Sequence, residues 1–548
     1  MKDYVSIVLL LFLLFSFNAN VFSQSNGREK ARYGQYDETE NENETNENFP
    51  FTTFRTNISG FTLTGDEGEI KRLRDIVYSA GDNDKFKVLY NSIYTSGSTL
   101  QDPGGHPGSV SKAAKAAKNA AFVYLVGFNK DGINLRDGGT GEETLEGFRD
   151  RSITMLKRLN TEVKIYYDWS ATMTSFDWRS KELILYLQAY DYLITAKEVL
   201  GYDVNEDDLI EIKYRLQEFA HNLYVDAKTP LSAFSKKDNH SLQAAGALGI
   251  ASIVLKECGH RWYKYNWHPK KWASAAHWNI ERTLWDANKP MSKKGDIYGY
   301  AEGPHYFTFG FENLLPFFRA YSNYVPEDVS TKYKYMIFHF SKKVRNYNYD
   351  LNFNNLYKWM DYITMPNNHL PTFDDMFYGK EYPKIMGVIQ TEYQGHPQRF
   401  LVNDPIGNGN TDVNIDYFVN GLETIEHSAE AEYSRALVSG DIILRTPYNT
   451  SDKESHYFRL SAEDETAANG GYHEHPDLGS FIITAGEDVL VLDPAWIADA
   501  RREWTENAND HSCILVEDKG PSKDNTPESF DLTEIPDEKF IATMTYRY

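Results

Sequence analysis

Two cysteines in 548 residues, Cys258 and Cys513, lie far apart and build no disulfide framework, so a fold held by dense covalent staples is excluded. Basic residues are in deficit. Lys and Arg number 57 against 79 Asp and Glu, the formal net charge is -22, and no basic tract offsets it. That balance argues against nucleic acid as a partner, and an acidic substrate would need a groove that is locally basic. After residue 17 no apolar run approaches the length of a membrane helix. No sharp internal repeat is visible either.

What is present describes a globular chain: 41% hydrophobic residues, 14% of all residues aromatic, with 38 Tyr, 31 Phe and 10 Trp. Aromatic rings stack on sugars, and they also build ordinary cores. The length exceeds one ordinary core, so at least two domains are expected. Residues 1–23 read as a secretory signal. Lys2 supplies the positive end, residues 5–17 the apolar stretch, and Val21-Phe22-Ser23 the small-residue approach to cleavage. The mature protein is therefore expected to be secreted, periplasmic or at the cell surface, with no membrane span. Residues 24–60 form an acidic tail, including Glu40-Asn41-Glu42-Asn43-Glu44, that has no means of burying a core.

From 61 to 385 the pattern is helical. Apolar residues recur at helical spacing over 111–128, 144–159, 181–200 and 206–226, with Asn205 as an N-cap. The same reading extends to 241–258, 272–285, 309–324 and 329–346. Successive amphipathic helices on short loops predict stacked hairpins, a toroid or a solenoid. From 386 to 548 the texture changes to short apolar or alternating runs at 436–445, 456–460, 481–484, 489–492, 513–516 and 540–545, separated by turn residues. The fold class expected is thus a multidomain α+β protein. An α/α toroid precedes an antiparallel β-sandwich that, ending at Tyr548, reads as incomplete.

Within this frame four groups of residues carry chemistry. Gly471-Tyr472-His473-Glu474-His475-Pro476-Asp477 has histidines at i and i+2, which face one way in an extended chain. Asp493 ends one apolar run and His511 opens another, and imidazole with carboxylate suits zinc. Asp238-Asn239-His240 precedes a helix. Capping alone explains the first two, but a cap has no need of His240, whose place at the positive end of the helix favours a neutral base. Tyr298-Gly299-Tyr300-Ala301-Glu302-Gly303-Pro304-His305-Tyr306 marks a turn before another helix. Its tyrosines are packing residues unless a neighbouring cation lowers a pKa. Asp374-Asp375 offers two carboxylates, though adjacent residues rarely face one site.

Together, in order and spacing, these segments resemble the heparinase II/III-like polysaccharide lyases over most of the chain from about residue 110 onward. The resemblance implies a helical toroid, a β-sandwich and an active site between them. By position it assigns His475, Asp493 and His511 to a single zinc ion that organises the loops. Asn239 and His473 would face the substrate carboxylate, and His240 and Tyr306 would move protons, with Tyr300 as the alternative tyrosine. Pro476 and Leu478 depart from the family pattern. The implied activity is β-elimination on an acidic polysaccharide, ulvan-like or alginate-like, with a glycosaminoglycan also open. Competing readings are a metallohydrolase, for which Leu478 stands where a second-metal histidine is needed, a toroidal glycoside hydrolase using Asp374 or Asp375, and a non-catalytic glycan-binding protein.

Overall fold

The computed structural model describes residues 73, 75, 85–101, 107–130, 135, 144–163, 172–227, 238–255, 269–287, 299–324 (except 301), 330–334, 341–345, 347, 351–376 (except 368), 434–446 (except 438), 455–461, 475, 477–494 (except 487), 507–515, 529–535 and 539–545. The expected signal and acidic tail, and His473 with them, lie outside the described residues.

The described part is mostly helical, with a five-stranded antiparallel sheet toward the C-terminus. The helices are α1 (Lys85–Gly97), α2 (Pro107–Val126), α3 (Leu145–Lys157), α4 (Thr172–Glu198), α5 (Glu206–Ala227), α6 (Asn239–Val254), α7 (Pro269–Ala287), α8 (Gly303–Tyr324) and α9 (Leu351–Ile363). Local chemistry sets their ends. Thr144 caps α3, its hydroxyl accepting from the Gly147 N–H at 3.1 Å. Asn205 caps α5 through the N–H groups of Asp207 and Asp208, at 2.8 and 3.3 Å, as its sequence position implies. The Ala-rich α2 packs on α1, α3 and α4, and α6 packs on α4, α7 and α8.

Helix α6 is the axis of this assembly. Every one of its residues except His240 is buried, the mark of a helix enclosed on all sides rather than an amphipathic one at the surface. It lies backbone to backbone on α8. A Cβ added at Gly246 would sit 2.3 Å from the Asn313 carbonyl oxygen, and one at Gly249 would sit 2.5 Å from the Phe317 ring. Only residues without a side chain permit that approach.

Residues 329–346, expected to be helical, hold instead a hairpin of β1 (Ser330–Lys334) and β2 (Ser341–Arg345), pairing Thr331 with Val344 and Tyr333 with Lys342. Alternation of Thr331 and Tyr333 with Lys332 and Lys334 is a two-residue period, and in so short a run it wins over the helical one.

The main sheet has the order β3-β4-β5-β6-β7, formed by β3 (Arg435–Ala436), β4 (Asp441–Arg445), β5 (His456–Ser461), β6 (Phe481–Ala485) and β7 (Asp488–Val491). A separate hairpin pairs β8 (Ser529–Ile535) with β9 (Lys539–Thr545). Alternation along β5 and β6 buries Tyr457, Arg459, Ser461, Ile482 and Thr484 on one face. The expectation of two neighbouring buried strands at 489–492 and 513–516 is corrected. β7 is a half-exposed edge strand, residues 513–515 are not in a strand, and Leu490 and Ile514 are exposed.

Sheet and helices meet along α9 and the buried segment 370–376. Arg445 donates through Nη1 to the carbonyls of Asp361, Tyr362 and Thr364 at 3.4, 3.3 and 3.0 Å. Tyr457 donates to the Ile363 carbonyl at 2.7 Å. Two strands thereby satisfy the carbonyls that the end of α9 leaves without intrahelical partners.

Candidate functional site

Two clusters gather the chemistry-bearing residues. The first joins the starts of α6 and α8. Asp238 caps α6, accepting from the Ser241 N–H at 3.1 Å. Glu302, buried in the turn that opens α8, accepts from the Asn239 backbone N–H at 2.7 Å and from the Asn239 side-chain nitrogen at 3.1 Å. It also accepts from the Tyr300 hydroxyl at 2.9 Å. The Asn239 side-chain oxygen accepts from Gln243 Nε2 at 3.2 Å. Asn239 is thus fully buried and held at both ends of its amide.

The turn carrying Glu302 has one permitted form. Gly303 adopts φ +74°, its N–H bonds the Tyr300 carbonyl at 2.9 Å, and an added Cβ would lie 2.9 Å from Oδ2 of Asp374. Positive φ and a carboxylate at van der Waals distance both demand glycine there. Asp374 itself has φ 50°, a left-handed conformation uncommon outside glycine and found at over-determined positions.

Burial and the adjacent Glu302 carboxylate push the Tyr300 phenol well above its ordinary pKa of 10.0. A tyrosine so placed is a donor to Glu302 rather than a base, which favours Tyr306 over Tyr300. Tyr306 is half-buried against the core, with the His305 ring edge-on at 4.9 Å and His305 stacked on Phe309 at 6.5 Å. His240 is half-buried as well. Of Asn239, His240, Tyr300 and Tyr306, solvent reaches His240 and Tyr306, and their neighbours Asp238 and His305 are half-buried too.

The second cluster lies where segment 370–376 meets the sheet. His475, Asp477, Asp493 and His511 are all buried. His511 Nδ1 lies 2.9 and 3.0 Å from the two oxygens of Asp493, and its ring is edge-on to His475 at 5.5 Å. His475 Nε2 is 3.0 Å from Oδ1 of Asp375. Ser480 donates to Asp493, the Ser512 hydroxyl accepts from the Phe481 N–H at 3.1 Å, and the Thr372 hydroxyl donates to the Asp493 carbonyl at 2.6 Å. Burial, then the Asp493 charge, raise the Asp477 pKa above 3.8, while His511, Arg459 and His475 pull it down.

Two imidazoles and several carboxylates buried together are the donor types zinc takes. His475 Nδ1 and Asp477 Oδ2 are buried without a hydrogen-bond partner, so by donor chemistry and by these two atoms the residues fit the ion. Among the described residues the side chains rest in carboxylate–imidazole pairs, and no group of three His, Cys, Asp or Glu is drawn together at metal-binding separations.

Sequence reasoning brought Asn239 and His240 to one helix start, Tyr306 to another, and His475, Asp493 and His511 to one buried cluster. It missed Glu302 and Gln243, and it weighed Asp375 as a hydrolytic carboxylate without its pairing to His475. An acidic residue directly before the Gly303-Pro304 helix opening was the available signal for Glu302. Asp375 stands 100 residues from its partner His475 and had none. Asp374 and Asp375, weighed as a hydrolytic pair, make separate contacts, one against Gly303 and the other with His475.

No protein-family model matches the chain, and no curated protein matches it. Among solved structures, it is similar to heparan sulfate lyase HepC from Pedobacter heparinus, with 13% identity and a TM-score of 0.44 over 90% of this chain and 66% of that one. It is also similar to a mutant of the same enzyme, with 14% identity and a TM-score of 0.45 over 79% of this chain. The chain spans 57% of the mutant's length, and in both cases less than two thirds of the solved chain.

Proposed function

We propose that this chain is a polysaccharide lyase that cleaves a uronate-containing polysaccharide by β-elimination. The helices are read as an α/α toroid and the sheet as part of a β-sandwich, with the substrate groove between them. The observation that carries the reading is that His240 and Tyr306, both half-buried, stand on two helix starts joined by the bonds from Asn239 to Glu302.

The proton at C5 of a uronate is weakly acidic because the neighbouring carboxylate resists further negative charge. Donors that strengthen as enolate-like charge develops lower that barrier, by roughly 3–4 kcal/mol for a well-placed one. Asn239 and His473 take that role. His240 or Tyr306 removes the C5 proton, and the electron pair forms the C4–C5 double bond. The C4–O4 bond breaks, and Tyr306 returns a proton to O4. The products are a new hydroxyl end and an unsaturated uronate end.

A zinc ion belongs to this reading, held by His475, Asp493 and His511. When bound it organises the loops lining the groove, a structural role. The substrate class is an acidic polysaccharide, ulvan-like or alginate-like in the first instance, met outside the cell after removal of the N-terminal signal.

The test offers the purified protein ulvan, alginate and glycosaminoglycans while following the ultraviolet absorbance of the unsaturated product. Absorbance is expected to rise with one of them and to be abolished by Tyr306→Phe, and elemental analysis is expected to find zinc that His475→Ala removes. New reducing ends without absorbance would mean hydrolysis and end the lyase reading.

A further inference from the structure

His475 and Asp375 stand 100 residues apart and meet where the buried segment 370–376 joins the sheet. Both side chains are buried, and His475 Nε2 lies 3.0 Å from Oδ1 of Asp375. A neutral imidazole has one N–H and one bare lone pair, so the bond made by one nitrogen decides the role of the other. An ionised carboxylate can only accept, which puts the ring proton on Nε2 and the lone pair on Nδ1.

That Nδ1 is buried and has no hydrogen-bond partner among the described residues, and Oδ2 of Asp477 is buried in the same condition. The Asp477 carboxylate feels the charges of Asp493, His511 and His475, so the two acceptors share one surrounding. Burying an acceptor with no donor is costly, and a cation satisfies both atoms at once. Asp375 reaches this cluster from another part of the fold. It belongs to the segment whose Asp374 packs on Gly303 at the opening of α8, and whose Thr372 hydroxyl donates to the Asp493 carbonyl at 2.6 Å. A histidine that binds a metal through one nitrogen commonly donates its other N–H to a carboxylate, which fixes the tautomer and the direction of the ring.

We infer that Asp375 is the positioning residue of the metal site, holding His475 by Nε2 so that Nδ1 faces the ion while Asp375 itself stays outside the coordination sphere. The inference rests on the zinc reading above. It gives Asp375 a use that a hydrolytic carboxylate would not have, since its effect runs through His475. It also ties the ion to the segment that packs behind the turn at Gly303.

The test measures zinc affinity of the purified protein, by competition with a chelator of known affinity, in wild type, Asp375→Asn and Asp375→Ala. Asp375→Ala is expected to weaken zinc binding by about 10–100-fold. Asp375→Asn, whose side-chain oxygen still accepts from Nε2, is expected to lose less. A residue that only packs would lower unfolding stability in EDTA and leave zinc affinity where it was, and that result would overturn the inference. Crystals of the zinc-loaded wild type supply a readout that needs no variant to fold. Nδ1 of His475 is expected about 2.0–2.1 Å from the ion. Coordination through Nε2, or by Asp375 directly, would overturn the inference and leave the zinc reading standing. A wild type that binds no zinc sinks both.

Discussion

His221, half-buried in α5, shows what burial does to a single group. Removal from water disfavours the charged imidazole and lowers its pKa from 6.5 to about 4. For a base whose folded pKa lies below its unfolded one, the folded form binds protons less well. The stability it contributes is present above pH 6.5 and is lost as pH falls through about 4. Glu182 works in the opposite sense. Burial outweighs its pairing with Arg179 and raises its pKa to about 7, so its contribution is present below 4.5 and lost as pH rises through about 7. The two partly cancel in the wild type, so the comparison has to be made against a variant. His221→Leu is expected to lose less stability than wild type between pH 6.5 and about 4, read from urea unfolding midpoints at both ends of that window. Parallel curves would show that His221 is as accessible to protons folded as unfolded. At this same scale the sequence displayed His240, His475, Asp493 and His511 as chemistry-bearing residues, because their types and spacing are unusual. Glu302, which holds Asn239, and the pairing of Asp375 with His475 stayed hidden, since a carboxylate in a turn looks alike whether it faces water or a distant side chain.

Among the elements, α6 and α8 carry the most exacting contact. Alanine in place of a mid-helix glycine is ordinarily favourable by about 1 kcal/mol. At Gly246 the added methyl would lie 2.3 Å from the Asn313 carbonyl oxygen, a backbone atom that moves only if α8 moves. Overpacking of that kind costs about 1–3 kcal/mol, so the clash sets the sign. Gly246→Ala is expected to lower the unfolding free energy measured in denaturant. It should also lower the proposed activity, because separating the helices moves apart the two helix starts that carry His240 and Tyr306. A more stable Gly246→Ala protein would mean that the two helices have slack the structure does not show. Most helices were legible, since α2, α5 and α8 carry long periodic stretches and α5 a clear cap in Asn205. Helix α9 and the β1–β2 hairpin were not. The hairpin strands hold few apolar residues, so the choice between periods there is made by packing, whereas α9 carries Leu351, Leu356, Trp359, Met360 and Ile363, a signal the sequence reading missed.

For the whole molecule the decisive contact is the junction of helices and sheet, and one carboxylate lies at its centre. Asp441 at the start of β4 accepts from Trp359 of α9 at 2.8 Å, from the Ser439 hydroxyl at 2.7 Å and from Arg459 of β5 at 2.6 Å. The buried Arg459 guanidinium in turn lies 3.5 Å above the Phe373 ring, on the segment that carries Asp374 and Asp375, and its charge reaches Asp477. A single ion pair therefore ties α9, the sheet, the segment behind Gly303 and the histidine cluster together. Removing one member of a buried pair leaves an uncompensated charge and costs about 3–5 kcal/mol. Arg459→Met, close in length and apolar, is expected to destabilise the chain by that amount in denaturant unfolding and to open the junction to limited proteolysis. Exchanging both members for apolar residues restores stability in many buried pairs. Here it is expected to fall short, because Asp441→Leu strands the Trp359 and Ser439 donors as well. Full recovery in the Asp441→Leu, Arg459→Met double variant would show that the pair alone matters, and that the wider network at the junction is incidental to holding helices and sheet in register.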